Sequence, residues 1–137
     1  MTAKEYLSRY LSTKQEIERL LEQRLQLWSM ATKITPTLQG DRVQGGQNTT
    51  GDAIMAQVVD LSTELLHKIK QLNEILGEIE SAINSIQDER LRMLLKLRYI
   101  NGKTFEEISV IMHYNYRWVT RLHGKALTKM ALESPIN

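Results

Sequence analysis

The sequence contains no cysteine. A disulfide scaffold and a thiolate metal site are therefore excluded, and nothing in the residue usage argues for export. No apolar run approaches the ~20 residues needed to cross a bilayer, so no membrane partner is expected. The opening "MTAKEYLSRYLSTKQ" is charged throughout and lacks the apolar centre of a secretory signal, which makes a cytoplasmic chain the expectation. The histidines, His67, His113 and His123, do not stand at i, i+4 spacing, and no metal site is expected from them. "GGQNTTG" has glycines but no following Gly-Lys-Ser/Thr, so it does not read as a phosphate-cradling loop. Carboxylates such as Glu16, Glu18, Glu22, Glu74, Glu78 and Glu80 fall between lysines and arginines on helix exteriors, where solvated faces are the rule. No catalytic residue and no cofactor is assigned, and the expectation is a chain that is not an enzyme.

Glycine and proline are absent between Thr2 and Ala31. There Leu7, Tyr10, Ile17, Leu20, Leu21, Leu27, Trp28 and Ala31 recur at helical spacing, which predicts one long helix. Residues 32–51, "TKITPTLQGDRVQGGQNTTG", then hold one of the two prolines and four of the seven glycines, and this segment reads as a Gly-rich loop. A second helix is expected with Asp52 near its N-cap. Its apolar residues fall at Ile54, Val58, Leu61, Leu65, Ile69, Leu72, Leu76, Ile79, Ile83 and Ile86, a heptad-like seam with one extra step of four near Leu65. A rod of ~34 residues is roughly 50 Å long, about the length of the first helix, so the two can fold back as an antiparallel, coiled-coil-like hairpin over residues 1–87. Such a hairpin either packs on its own C-terminal domain or associates with a second copy as a homodimer, and the pattern leaves both open.

The net charge of +2 is unevenly spread. Residues 1–87 carry nine Lys and Arg against eleven Asp and Glu, whereas residues 88–137 carry nine against five. A polyanionic partner for the C-terminal third follows from that excess.

The same third carries the most specific pattern. From Asp88, "DERLRMLLKLRYINGKT" predicts a helix with Leu91, Leu94, Leu95 and Leu97 apolar, ending at Asn101-Gly102, where glycine takes a left-handed cap. Thr104 and Glu107 form a capping box, so a short helix is expected over about Phe105 to Met112. After His113 and Tyr114, Asn115 is a good N-cap for a last helix to about Met130. Counted from Phe105, Ile108, Ser109, Met112, Tyr114, Val119 and Leu122 fall where a helix-turn-helix needs apolar or small residues. Ser109 must be small because the second helix crosses over it through a short turn. His113 stands where glycine usually permits a left-handed residue, a conformation that histidine tolerates better than most. The last helix then turns Val119, Leu122, Ala126, Leu127 and Met130 to the core, and Tyr116, Arg117, Thr120, Arg121 and Gly124 outward. Arginine pairs bidentately with guanine in a major groove. The expectation is therefore an all-α protein: a long helical hairpin, then a three-helix DNA-binding domain over residues 88–137. Tyr116, Arg117, Thr120 and Arg121 are candidates to read base edges of double-stranded DNA, and Arg98, Lys103, Thr104 and Lys125 to contact phosphates.

"LRYINGKTFEEISVIMHYNYRWVTRLHGKAL" resembles region 4 of bacterial sigma factors of the principal class. The shared elements are Leu97-Arg98-Tyr99, Thr104 with Glu106-Glu107-Ile108, Val119, and Lys125-Ala126-Leu127, within a match over Asp88 to Met130. The whole chain is similar to small phage- and prophage-encoded regulators of the ArpU and RinA late-gene activator type. That resemblance implies a transcriptional regulator in a bacterial host cell, with host RNA polymerase as a further partner. In sigma region 4 the recognition helix meets the −35 element through positions matching Tyr116, Arg117 and Arg121. Trp118 departs from the pattern, standing where a charge is common, and nothing matches the region that melts the −10 element. Two other readings are a small-terminase-like packaging subunit, and a polymerase- or protein-binding module without DNA specificity.

Overall fold

The computed structural model describes residues 1–39 and 48–133. Among these the chain is all-α, with five helices: α1 (Ala3–Gln39), α2 (Asn48–Asn84), α3 (Glu89–Tyr99), α4 (Phe105–Met112) and α5 (Tyr116–Glu133).

The starts of α1 and α3 have a chemical cause. At α1 the Thr2 hydroxyl accepts from the Glu5 N–H (3.1 Å) while the Glu5 carboxylate accepts from the Thr2 N–H (2.8 Å), a reciprocal box that satisfies two orphan donors. Asp88 caps α3 by accepting from the Arg90 N–H at 2.9 Å, and Arg92 closes the preceding helix end by donating to the carbonyls of Ile86 and Gln87. The hydrogen bond from Arg90 holds the Asp88 carboxyl below its ordinary range.

The expected loop at 32–51 is shorter than its composition indicates. α1 runs on through Pro36 to Gln39, and α2 begins at Asn48, four residues ahead of Asp52. Gly51 sits in the first turn of α2, where the backbone N–H groups have no helical partner in any case and a weak helix former does little harm. The remaining part, residues 40–47, lies outside the described residues.

The helices sort into two compact units, Met1–Lys14 with Leu72–Asn137, and Gln15–Gln71. This packing division differs from a cut at residue 87, because the first turns of α1 and the last turns of α2 go with α3, α4 and α5. In that first unit Leu7, Ile79, Ile83, Ile86, Leu91, Leu94, Leu95, Ile108, Val119, Leu122 and Met130 are all fully buried. α3 packs on both α4 and α5, and α4 packs on α5. Each buried leucine or isoleucine contributes roughly 1.5–3 kcal/mol, so this core anchors the C-terminal helices.

In the second unit α1 and α2 run in opposite directions: Glu16 pairs with Lys68 at 3.0 Å, and further along α1 the Arg24 guanidinium donates to Ser62 at 3.2 Å. Among the described residues of this unit, Ile17, Ala31, Ile54, Val58 and Leu65 are buried.

The seam on α2 corrects the expected spacing. Ile69 is 41% exposed, and the stripe passes instead through Leu65, Lys68, Leu72, Ile75 and Ile79. That is an unbroken alternation of threes and fours with no extra step. Lys68 fills the heptad position by laying its aliphatic stem along the seam while its ammonium reaches Glu16. A pattern search over apolar residues alone skips a lysine and selects Ile69 in its place.

Candidate nucleic-acid interface

The last two helices meet through a turn that the sequence builds in three steps. Thr104 caps α4, accepting from the Glu107 N–H at 3.1 Å, and the Glu107 carboxylate accepts from the Thr104 N–H at 2.9 Å. That backbone hydrogen bond from Thr104 keeps the Glu107 carboxyl below its usual range. At the other end His113 adopts φ 61°, ψ 40°, the left-handed conformation expected there for glycine. It lets the Tyr114 N–H reach back to the Ser109 carbonyl at 3.0 Å. Asn115 then starts α5, its side-chain oxygen accepting from the Trp118 N–H at 2.8 Å.

α5 is two-faced. Val119, Leu122, Ala126 and Met130 are buried, with Leu127 half-buried beside them. On the outer side Tyr116, Arg117, Arg121, Gly124 and Lys125 are exposed, and Thr120 is half-buried with its hydroxyl donating to the Arg117 carbonyl at 2.8 Å. Arg117, Arg121 and Lys125 follow one another at intervals of four and so stack on one side of the helix. Among the described residues none of the three has a carboxylate partner, and no acidic residue stands in the first turn of α5. Trp118 is 39% exposed. A Cβ added at Gly124 meets nothing within 4 Å, so the outer side of α5 is open there.

The four candidate phosphate contacts do not behave alike. Lys125 is exposed on α5 and Lys103 is half-buried just ahead of the Thr104 cap, whose hydroxyl oxygen is committed to Glu107. Arg98 is engaged inward. Its guanidinium donates to the Lys103 carbonyl at 3.1 Å and lies 4.3 Å above the Phe105 ring. It holds the turn between α3 and α4, in which Gly102 takes φ 70°.

Behind this turn sits a cluster that motif reading misses. The Tyr99 hydroxyl and His123 Nε2 are 2.7 Å apart, and the His123 ring packs edge-on against Phe105 at 4.9 Å. Burial, with Arg98 and Lys4 nearby, pushes the His123 pKa down to about 4, so the ring is neutral at neutral pH. Burial also raises the Tyr99 pKa. The phenol therefore keeps its proton, and it shares with Nε2 one hydrogen bond whose direction follows the imidazole tautomer. The available signal was that His123 lies on the buried side of α5, next to Leu122.

A family model described as "Protein of unknown function (DUF1492)" matches residues 32–126. That is more than half of the chain. The chain belongs to the DUF1492 family. No curated protein matches the sequence, and no solved structure matches it. The DUF1492 match takes in all of α2, α3 and α4 and ends in α5 just past Lys125, so it includes the exposed basic stripe. Among the described residues no helix is long and apolar enough to cross a membrane.

Proposed function

We propose that this protein is a sequence-specific DNA-binding transcriptional regulator, in which α4 and α5 act as a helix-turn-helix and α5 enters a major groove. One observation carries the reading. Among the described residues α5 turns three cations without a carboxylate partner, Arg117, Arg121 and Lys125, outward, away from a stripe that the core holds fixed. In a groove, Arg117 and Arg121, with Tyr116 and Thr120, read base edges. Lys103, Thr104 and Lys125 hold phosphates, and Arg98 positions the turn that carries two of them. The likeness to sigma region 4 and to ArpU- and RinA-type activators supports a promoter as the target and phage late genes as the class. The long α1–α2 hairpin is then the part available for protein contacts.

Binding to labelled duplexes over a salt series tests this. Arg117→Ala or Arg121→Ala should weaken a preferred site by about 1–3 kcal/mol and relax its sequence preference. Lys125→Ala should weaken all sequences alike and reduce the salt slope by about one. Unchanged binding in all three variants contradicts the groove assignment.

Docking on a protein such as host RNA polymerase is a second reading, favoured by Val110, which is 73% exposed on α4 beside the partly exposed Ile111. Val110→Asp should then weaken polymerase capture while leaving DNA affinity intact.

A further inference from the structure

Among the described residues of the unit Gln15–Gln71, more large apolar side chains are exposed than buried. Leu21, Leu25 and Trp28 of α1, and Val59, Leu66 and Ile69 of α2, are between 40% and 70% exposed. Their spacing gives them a common direction. Successive residues on a helix turn by about 100°. Leu21, Leu25 and Trp28 each follow by one a seam residue (Leu20, Arg24, Leu27), and Val59, Leu66 and Ile69 each follow one of theirs (Val58, Leu65, Lys68). Because the two helices run in opposite directions, a clockwise step on one and the same step on the other lead to the same side of the pair. A cleft of about 610 Å³ opens beside the α1 set, lined from α1 by Leu21, Arg24, Leu25 and Trp28 and from α2 by Val58 and Ser62. The residues that precede the seam on the other side are mostly polar, namely Arg19, Gln23, Gln57, Asp60, Glu64 and His67, with Met30 an exposed apolar exception. The helix pair is thus a layer with one apolar and one polar surface.

We infer that the apolar surface is covered by the same surface of a second copy of this chain, closing a four-helix bundle. Three features select a second copy. The area suffices: about 18 residues of two adjacent helices give a patch of roughly 27 Å by 20 Å, hence about 1,100 Å² in the pair, above the ~1,000 Å² expected of a specific interface. The outline is its own complement, because turning an antiparallel pair over about a two-fold axis along the layer sets α1 of each copy on α2 of the other. At one end of the layer the charges also match, since the outer edge of α1 carries Glu18 and that of α2 carries Lys70. The two-fold arrangement sets Glu18 of each copy about one helical turn from Lys70 of the other. The inference is independent of DNA binding, because it uses none of the residues of α4 or α5.

Sedimentation equilibrium of the full chain across a concentration series tests it. A dimer is expected, and Leu25→Glu or Leu66→Glu should each weaken it at least 100-fold with an unchanged helical circular dichroism spectrum. Gln57→Glu, on the polar side, should leave it within two-fold. Glu18→Lys should weaken the dimer, and adding Lys70→Glu in the same chain should restore it. A monomer at all concentrations, an assembly larger than two, or a dimer indifferent to both leucine variants overturns the inference. Failure of the charge swap to restore association overturns the α1-on-α2 arrangement.

Discussion

The two compact units use the same kind of sequence to opposite effect. In Met1–Lys14 with Leu72–Asn137, five helical segments surround one core, and Leu91, Leu94, Leu95, Ile108 and Leu122 are closed off from water. In Gln15–Gln71, two segments share one seam, and leucines as large as Leu25 and Leu66 remain on the surface. The difference is geometric. A helix that touches two or more others can bury a wide apolar stripe, whereas one that touches a single partner buries only a narrow seam. The first unit closes a core of its own. The second exposes a surface that calls for cover.

The sharpest way to break this contrast is to remove a methyl-bearing side chain from each unit. Leu94→Ala in the first should cost about 2–5 kcal/mol of unfolding free energy, since it leaves a cavity inside a closed core. Leu66→Ala in the second, measured in urea at a concentration below association, should stay within about 0.5 kcal/mol. Equal losses at the two sites contradict the contrast.

A smaller effect is expected from acid. The folded pKa of His123 lies near 4, against an ordinary value of 6.5. The unfolded chain therefore binds the proton first, and the contribution of this group is complete above about pH 6.5 and is lost as pH falls from there towards 4. Urea titrations at pH 7 and pH 5 should show the first unit weaker at pH 5, and His123→Phe should flatten that difference. The depressed carboxyls of Asp88 and Glu107 act lower on the scale, where their caps fail on protonation.

Smallest of all should be Gly124→Ala. The position has room for a methyl group and lies inside a helix, so the variant should gain about 0.5–1 kcal/mol in stability. If α5 lies against DNA, the same methyl group should reduce affinity, and thermal melts beside binding assays separate the two effects. A gain in stability with no change in affinity places Gly124 away from the nucleic acid.

The elements most legible in the sequence are those fixed by local chemistry. The bounds of α4 follow from Thr104 and Glu107 at one end and from the break at His113 at the other. The buried stripe of α5 follows from the spacing of Val119, Leu122, Ala126 and Met130. What escaped was set by context. Lys68 occupies a seam position because Glu16 on a distant stretch of chain receives its charge. α1 outlasts Pro36, although a single proline ordinarily marks a boundary. Arg98 looked like a surface cation and is instead held by Lys103 and Phe105. In the candidate interface, the outward direction of Arg117 and Arg121 was readable from periodicity. The inward turn of Arg98 and the Tyr99–His123 pair depend on the fold of α3 against α5.

The most direct test is selection of bound sequences from a pool of random duplexes, with the full chain beside its Arg117→Ala/Arg121→Ala variant. A groove-reading α5 predicts that the wild-type chain enriches one motif and that the double variant loses the motif while keeping weak, salt-sensitive binding through Lys103 and Lys125. Enrichment of the same motif by both proteins, or of none by the wild type, contradicts it.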